Sequence, residues 1–120
     1  MSPVRRTVFV LSMYEYEIGN GGLCQFFVNS SRELAPYVSE CLEEVGAIEH
    51  KDLFDNFILD NSIDVNALDY FEIDDLDEYA EKAELYDFDS FDDAYMELPF
   101  LTDTIVEYIR ENINEFYTNK

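Results

Sequence analysis

Apolar residues recur at helical spacing from the first turns of the chain. Val4, Val8, Leu11, Tyr14 or Glu15, and Ile18 lie three or four positions apart, which predicts a helix over about Pro3 to Ile18. Pro3 suits a first turn, where its missing N–H costs nothing. Gly19-Asn20-Gly21-Gly22 is expected to end that helix, because glycine permits positive φ and close backbone approach. Leu23 to Val28 could be a strand by period alone, and reads as a second, short helix because the segments on either side are helical. Leu34, Tyr37, Val38, Cys41, Leu42 and Val45 form the next stripe, with Ser30 or Ser31 as cap, Glu33 and Pro36 in the first turn and Gly46 as terminator.

A helix over about Glu49 to Leu59 would bury Leu53, Phe54, Phe57 and Ile58, and Asn61 to Asn66 reads as a loop. From Ala67 to Leu98 acids alternate with aromatics. Leu76, Tyr79, Ala80 and Ala83 suit the inner face of one helix, and Phe88, Phe91, Tyr95 and Leu98 that of another, bounded by Pro99. The last helix is expected from about Thr102 to Tyr117, capped by Thr102 or Asp103, with Ile105, Val106, Ile109, Ile113 and Phe116 inward. Strand-period alternation is scarce and no repeat or linker interrupts the chain. The fold class is therefore all-α: one domain over residues 1–120, with about six or seven helices.

Composition fits a folded chain despite its charge. Apolar residues make up 48% of it, and 10 Phe and 9 Tyr supply area to offset chain entropy. An acidic-aromatic interaction segment without fixed structure is the alternative for Ala67 to Leu98. No run approaches the roughly 20 apolar residues of a membrane span. The start, Met1 to Leu11, is similar to a weak signal peptide, but its apolar run is short and no small-residue cleavage site follows. The expectation is a cytoplasmic protein with Cys24 and Cys41 as buried reduced thiols and the Asn29-Ser30-Ser31 sequon unused.

Charge narrows the partners. The chain has 28 Asp and Glu against 7 Lys and Arg, a formal charge of -21. Between Glu49 and Glu97 there are 18 acids, and Lys51 and Lys82 are the only fixed cations. Such a surface repels nucleic acid and anionic membranes and attracts basic proteins, above all those built to hold nucleic acid. General solubility, or adaptation to high salt, is the plainer explanation. Carboxylates at i and i+4 rise about 6 Å apart on a helix, close to the spacing of phosphates along one DNA strand. Asp74 with Glu78, Asp77 with Glu81, and Asp89 with Asp93 are such pairs. Like charges at that spacing cost a few tenths of a kcal/mol each. The candidate partner-binding acids are Asp74, Asp75, Asp77, Glu78, Glu81, Glu84, Asp87, Asp89, Asp92 and Asp93, where density is highest.

The most specific segment is Glu17-Ile18-Gly19-Asn20-Gly21-Gly22-Leu23-Cys24-Gln25-Phe26-Phe27-Val28-Asn29-Ser30-Ser31. It resembles the signature of the bacterial DNA-mimic protein family, approximately Glu-Val-x-Asn-Gly-Gly-Phe-x-Gln-Phe-Phe-x-Asn, with Leu23 where an aromatic is usual. Glu44-Val45-Gly46-Ala47 and Phe88 to Leu98 fit the same pattern. The resemblance implies a helical fold. It also implies a protein whose acids imitate DNA phosphates and occupy the DNA-binding face of a transcription factor, in the best-known case as a dimer. Asn20, Gly21, Gly22, Gln25, Phe26, Phe27 and Asn29 carry the motif. The expectation is that they are structural, the glycines setting a turn and the amides tying orphan backbone groups at helix ends.

Other chemistry finds little support. The motif lacks the Lys of a phosphate loop. Asp87-x-Asp89 and Asp74-Asp75-x-Asp77-Glu78 lack the Gly and distal Glu of a calcium loop, so no metal or other cofactor is expected. His50, the single His, is expected to be exposed beside Lys51, and no nucleophile–base constellation can be assembled around it. The reading is a non-enzymatic binding protein with a basic nucleic-acid-binding partner, a transcription factor or a nuclease. It would touch neither nucleic acid nor membrane directly, and a homodimer is an open alternative to a monomer. An immunity-type inhibitor of a toxin nuclease and a soluble structural protein without mimicry are the alternative functions.

Overall fold

The computed structural model describes residues 2–118, and those residues fold as helices joined by short turns. They are α1 (Pro3–Val28), α2 (Ala35–Glu44), α3 (Ile48–Asp60), α4 (Leu76–Ala83), α5 (Phe88–Glu97), α6 (Leu101–Glu111) and α7 (Ile113–Thr118), with tight 3-10 turns at Ser30–Leu34 and Asp69–Phe71. No strand occurs among the described residues. The fold is all-α. The stretch from Ala67 to Leu98 is ordered here as a 3-10 turn and two helices rather than as a structureless segment.

Helix α1 is the central element, and α2, α4, α5, α6 and α7 all pack on it. Ser2 caps it by accepting from Arg5 N at 3.1 Å, with Pro3 in the first turn. Val4, Thr7, Val10, Leu11, Tyr14, Glu17 and Ile18 are buried along its first half. The glycine break falls at Gly22 rather than Gly19. Gly22 takes φ 85°, ψ 178°, and the chain turns helical again from Leu23 to Val28. Helical geometry survives Gly19 because a single glycine weakens a helix by only about 1 kcal/mol, whereas at Gly22 a Cβ would strike the Asp92 carboxylate.

The core is aromatic. Phe27 lies 5.1 Å from Phe71 and 6.1 Å from Phe88, and Phe57 lies 5.4 Å from both Phe88 and Phe91 between ring centroids. Tyr14 meets Phe26 and Phe54 edge-on at 5.3 and 5.7 Å. These separations suit the ring quadrupole. Cys24 and Cys41 are free and buried, and burial pushes the Cys24 thiol up to about 11.

Several expectations about elements change. Ser31 caps no helix; its hydroxyl is used inside the core. Leu76 is 85% exposed and Ala80 is also exposed, so α4 attaches through Tyr79 and Ala83 alone. The last helix breaks at Asn112, whose backbone N–H and side-chain amide both donate to Tyr108 O and so close α6. Neither Thr102 nor Asp103 caps α6, and Val106 and Ile113 are exposed while Tyr108 takes the inner position. His50 is buried. It shares a face of α3 with Phe54 and Phe57, and its Nε2–H donates to Pro99 O at 2.8 Å.

Candidate functional site

Three parts of the molecule bear on function: the motif at the bend of α1, the acids of α4 and α5, and the distribution of ion pairs.

The motif folds around a buried carboxylate. Glu17 is 5% exposed and lies one turn past Tyr14 on the inner face of α1. Gln25 Nε2 donates to its Oε1 at 2.9 Å, and Asn29 Nδ2 lies 3.2 Å from Oε1 and 3.0 Å from Oε2. Ser31 Oγ lies 2.9 Å from Glu17 Oε2 and 3.0 Å from Phe26 O, so its single hydrogen is shared. Burial raises the cost of ionising Glu17, but the donors of Gln25, Asn29 and Ser31 outweigh it and hold the carboxyl below its ordinary range. The amides of Gln25 and Asn29 therefore tie a charged side chain, not the orphan backbone groups expected of them. A Cβ on Gly21 would fall 1.9 Å from Gln25 Oε1, so glycine there leaves room for the Gln25 amide to fold back. Asn20 is exposed, and Phe26 and Phe27 are core.

Asp92, from α5, completes the bend. Its Oδ1 accepts from Leu23 N at 3.0 Å, capping the second half of α1 from 69 residues away. A Cβ on Gly22 would stand 2.3 Å from Asp92 Oδ2. Glycine is thus required twice, by its positive φ and by the carboxylate pressed against it. Burial first, then the nearby charges of Asp89 and Asp93, raise the Asp92 carboxyl above its ordinary value, while the Leu23 N–H pulls it down.

The other candidate acids divide by task. Asp75 caps α4 by accepting from Glu78 N at 2.9 Å, and Glu78 reaches back to Asp74 N at 2.6 Å. Asp87 caps α5 through Ser90 N at 3.1 Å and Ser90 Oγ at 2.7 Å, which depress its carboxyl, the hydroxyl contributing most. Asp74, Asp77, Glu81, Glu84, Asp89 and Asp93 are all exposed. Of the three expected i, i+4 pairs, Asp77 with Glu81 and Asp89 with Asp93 present both carboxylates to solvent.

Ion pairs lie elsewhere. Arg6 pairs with Glu40, Lys51 with Glu43 and Asp55, and Arg110 with Glu107. None of the ten candidate acids takes part in an ion pair among the described residues. Lys82, the single cation between Lys51 and Arg110, makes none there either. The α4–α5 region therefore carries its negative charge uncompensated. No cluster of three or more His, Cys, Asp or Glu arranged to hold a metal ion occurs among the described residues. No helix among them is long and apolar enough to cross a membrane.

The model of the family described as DMP19-like protein matches residues 1–112. The chain belongs to the DMP19-like protein family. That match spans the Glu17 hub, the Gly22 bend and the α4–α5 acids together, and it is the family to which the motif pointed. Searches of the curated proteins and of the solved structures give no match. His50, Glu17 and Asp92 were missed as structural centres by sequence reasoning. The signal for the first two was present as helical spacing: His50, Phe54 and Phe57 fall on one face, as do Val10, Tyr14 and Glu17. Nothing local marks Asp92, whose partner is 69 residues away.

Proposed function

We propose that this member of the DMP19-like family is a non-enzymatic, cytoplasmic binding protein that imitates the phosphate charge of DNA. It would occupy the DNA-binding surface of a basic partner such as a transcription factor. The observation that carries the reading is the set of exposed acids on and beside α4 and α5, none of them in an ion pair among the described residues. A helix holds Asp77 and Glu81, or Asp89 and Asp93, about 6 Å apart along its axis. Fixed carboxylates at that spacing recover part of the attraction a basic groove offers to phosphates.

Six acids are assigned to partner binding: Asp74, Asp77, Glu81, Glu84, Asp89 and Asp93. Asp75, Glu78, Asp87 and Asp92 serve the chain's own helix ends. The test reverses charge at three of the six. Lys at Asp77, Glu81 and Asp89 should abolish capture of a nucleic-acid-binding protein while leaving the circular-dichroism spectrum unchanged. Capture at wild-type level by that triple variant would refute the assignment. An immunity-type inhibitor of a toxin nuclease shares these electrostatics and differs in its partner, a single dedicated nuclease whose cleavage the protein would block.

A further inference from the structure

Helices α2 and α3 and the turn after α3 enclose a groove that the acidic reading does not use. It has a volume of about 470 Å³ and is walled by Ala35, Pro36, Phe54, Ile58, Ile63 and Val65. Leu59 stands on its rim at 76% exposure. The polar groups that reach it are Ser39, Ser62 and Asp55, and Asp55 is already held by Lys51 Nζ at 2.7 Å. A small polar ligand would need several convergent donors to fix it, and these groups do not supply them. The walls instead suit two or three aliphatic side chains spaced along one face of a helix.

Charge selects what carries those side chains. From Asp52 to Val65, the stretch that supplies most of the groove's lining, the chain has Asp52, Asp55, Asp60 and Asp64 and no Lys or Arg, and Asp55 lines the groove itself. Lys51, the cation bonded to the groove's Asp55, is already shared between Asp55 and Glu43. A second copy of this chain would bring another formal -21 to this rim. We infer that the α2–α3 groove is a docking site for a cationic amphipathic helix of a partner protein, its leucine-like residues on Ile58, Leu59 and Ile63 and its Lys or Arg over the surrounding acids. This rests on the reading above for the sign of the partner's charge, and adds an apolar anchor that phosphate imitation alone does not supply. Apolar anchors at the centre of a charged rim give an interface its residence time, whereas rim charges mainly raise the on-rate.

The test titrates the full chain with a Lys-rich helical peptide bearing Leu at i, i+3 and i+7. The controls are a peptide with those Leu replaced by Ala and a Glu-rich peptide keeping the Leu. Backbone amide shifts are followed by NMR at physiological salt. The expected result is at least about tenfold tighter binding of the Lys–Leu peptide than of either control, with shifts at Ser39, Ile58, Ser62 and Val65. Leu59→Lys, at an exposed position that cannot disturb the core, should remove that advantage. Ser39→Phe should do the same by filling the groove, and its fold is checked by the unchanged amide spectrum elsewhere. Equal binding of the Lys–Leu and Lys–Ala peptides, with shifts confined to α4 and α5, would overturn the groove and leave the charge imitation standing. Equal binding of the Glu–Leu peptide, or self-association through Leu59 in sedimentation, would overturn the assigned partner. Loss of partner capture in the α4–α5 variants is a separate readout, so failure of either proposal is recognisable by itself.

Discussion

Glu17 is a charge inside the core, and its three donors decide whether the bend of α1 holds. Replacing Glu17 with Ala strands the donors of Gln25, Asn29 and Ser31 and should cost about 3 kcal/mol, since hydrogen bonds to a charged group contribute roughly 1.5–3 kcal/mol each and stranded donors add a penalty. The pH dependence follows from a folded carboxyl held below its ordinary 4.5. Its contribution is complete above about pH 4.5 and is lost as pH falls through the lower folded value. Urea unfolding of wild type and Glu17→Ala at pH 7 and pH 3 should give a gap that narrows on acidification; a constant gap would contradict the ionised hub. Asp92 makes the opposite prediction. Its charge is disfavoured by burial, and its useful atom is an acceptor for Leu23 N. Asp92→Asn keeps that acceptor and should be neutral or slightly stabilising, while Asp92→Ala should cost about 1 kcal/mol, as lost caps do.

At the scale of elements, attachment differs sharply along the chain. Helix α1 buries residues from Val4 to Phe27, whereas α4 has no buried residue and leans on Tyr79 and Ala83. Hydrogen exchange should therefore release α4 amides through local opening, at least roughly tenfold faster than those at the centre of α1; equal protection would contradict a loosely attached α4. The same contrast explains which elements were legible in the sequence. The stripes of α2 and α3 and the Phe88-Phe91-Tyr95 face of α5 are periodic and dense, and they fold as that periodicity dictates except at Tyr37, which stays exposed with the Arg6 guanidinium over its ring. Helix α4 was legible as a helix, but which of its faces turns inward was not, because Leu76 and Ala80 have no neighbour to bury them. The break at Asn112 rests on hydrogen bonds to Tyr108 O, and the choice of Gly22 over Gly19 rests on Asp92. The Asp92 contact reaches 69 residues along the chain and no local pattern encodes it, whereas the Asn112 contact is local and Asn is itself a helix stop signal. The acidic region itself was legible, since charge density needs no contact to be read. Its division into helix-capping and free carboxylates was not.

At the scale of the whole molecule, a formal charge of -21 bears on stability and, under the proposed function, on the choice of partner. Self-repulsion among unpaired carboxylates is screened by salt, with a Debye length near 10 Å at about 0.1 M. The melting temperature should accordingly rise between low and moderate ionic strength, read by circular dichroism; a flat or falling curve would contradict uncompensated charge. Long-range attraction to a basic partner should weaken over the same range, because steering acts on the on-rate.

The most direct measurement is competition on a captured nucleic-acid-binding partner. Duplex DNA and this protein are offered together, at rising salt, with wild type compared to a variant neutralised at Asp74, Asp77, Glu81, Glu84, Asp89 and Asp93. The account predicts mutual exclusion with DNA, an on-rate that falls steeply with salt, and loss of both in the neutralised variant. A ternary complex in which DNA and this protein bind the partner together, or a neutralised variant that competes as well as wild type, would contradict it.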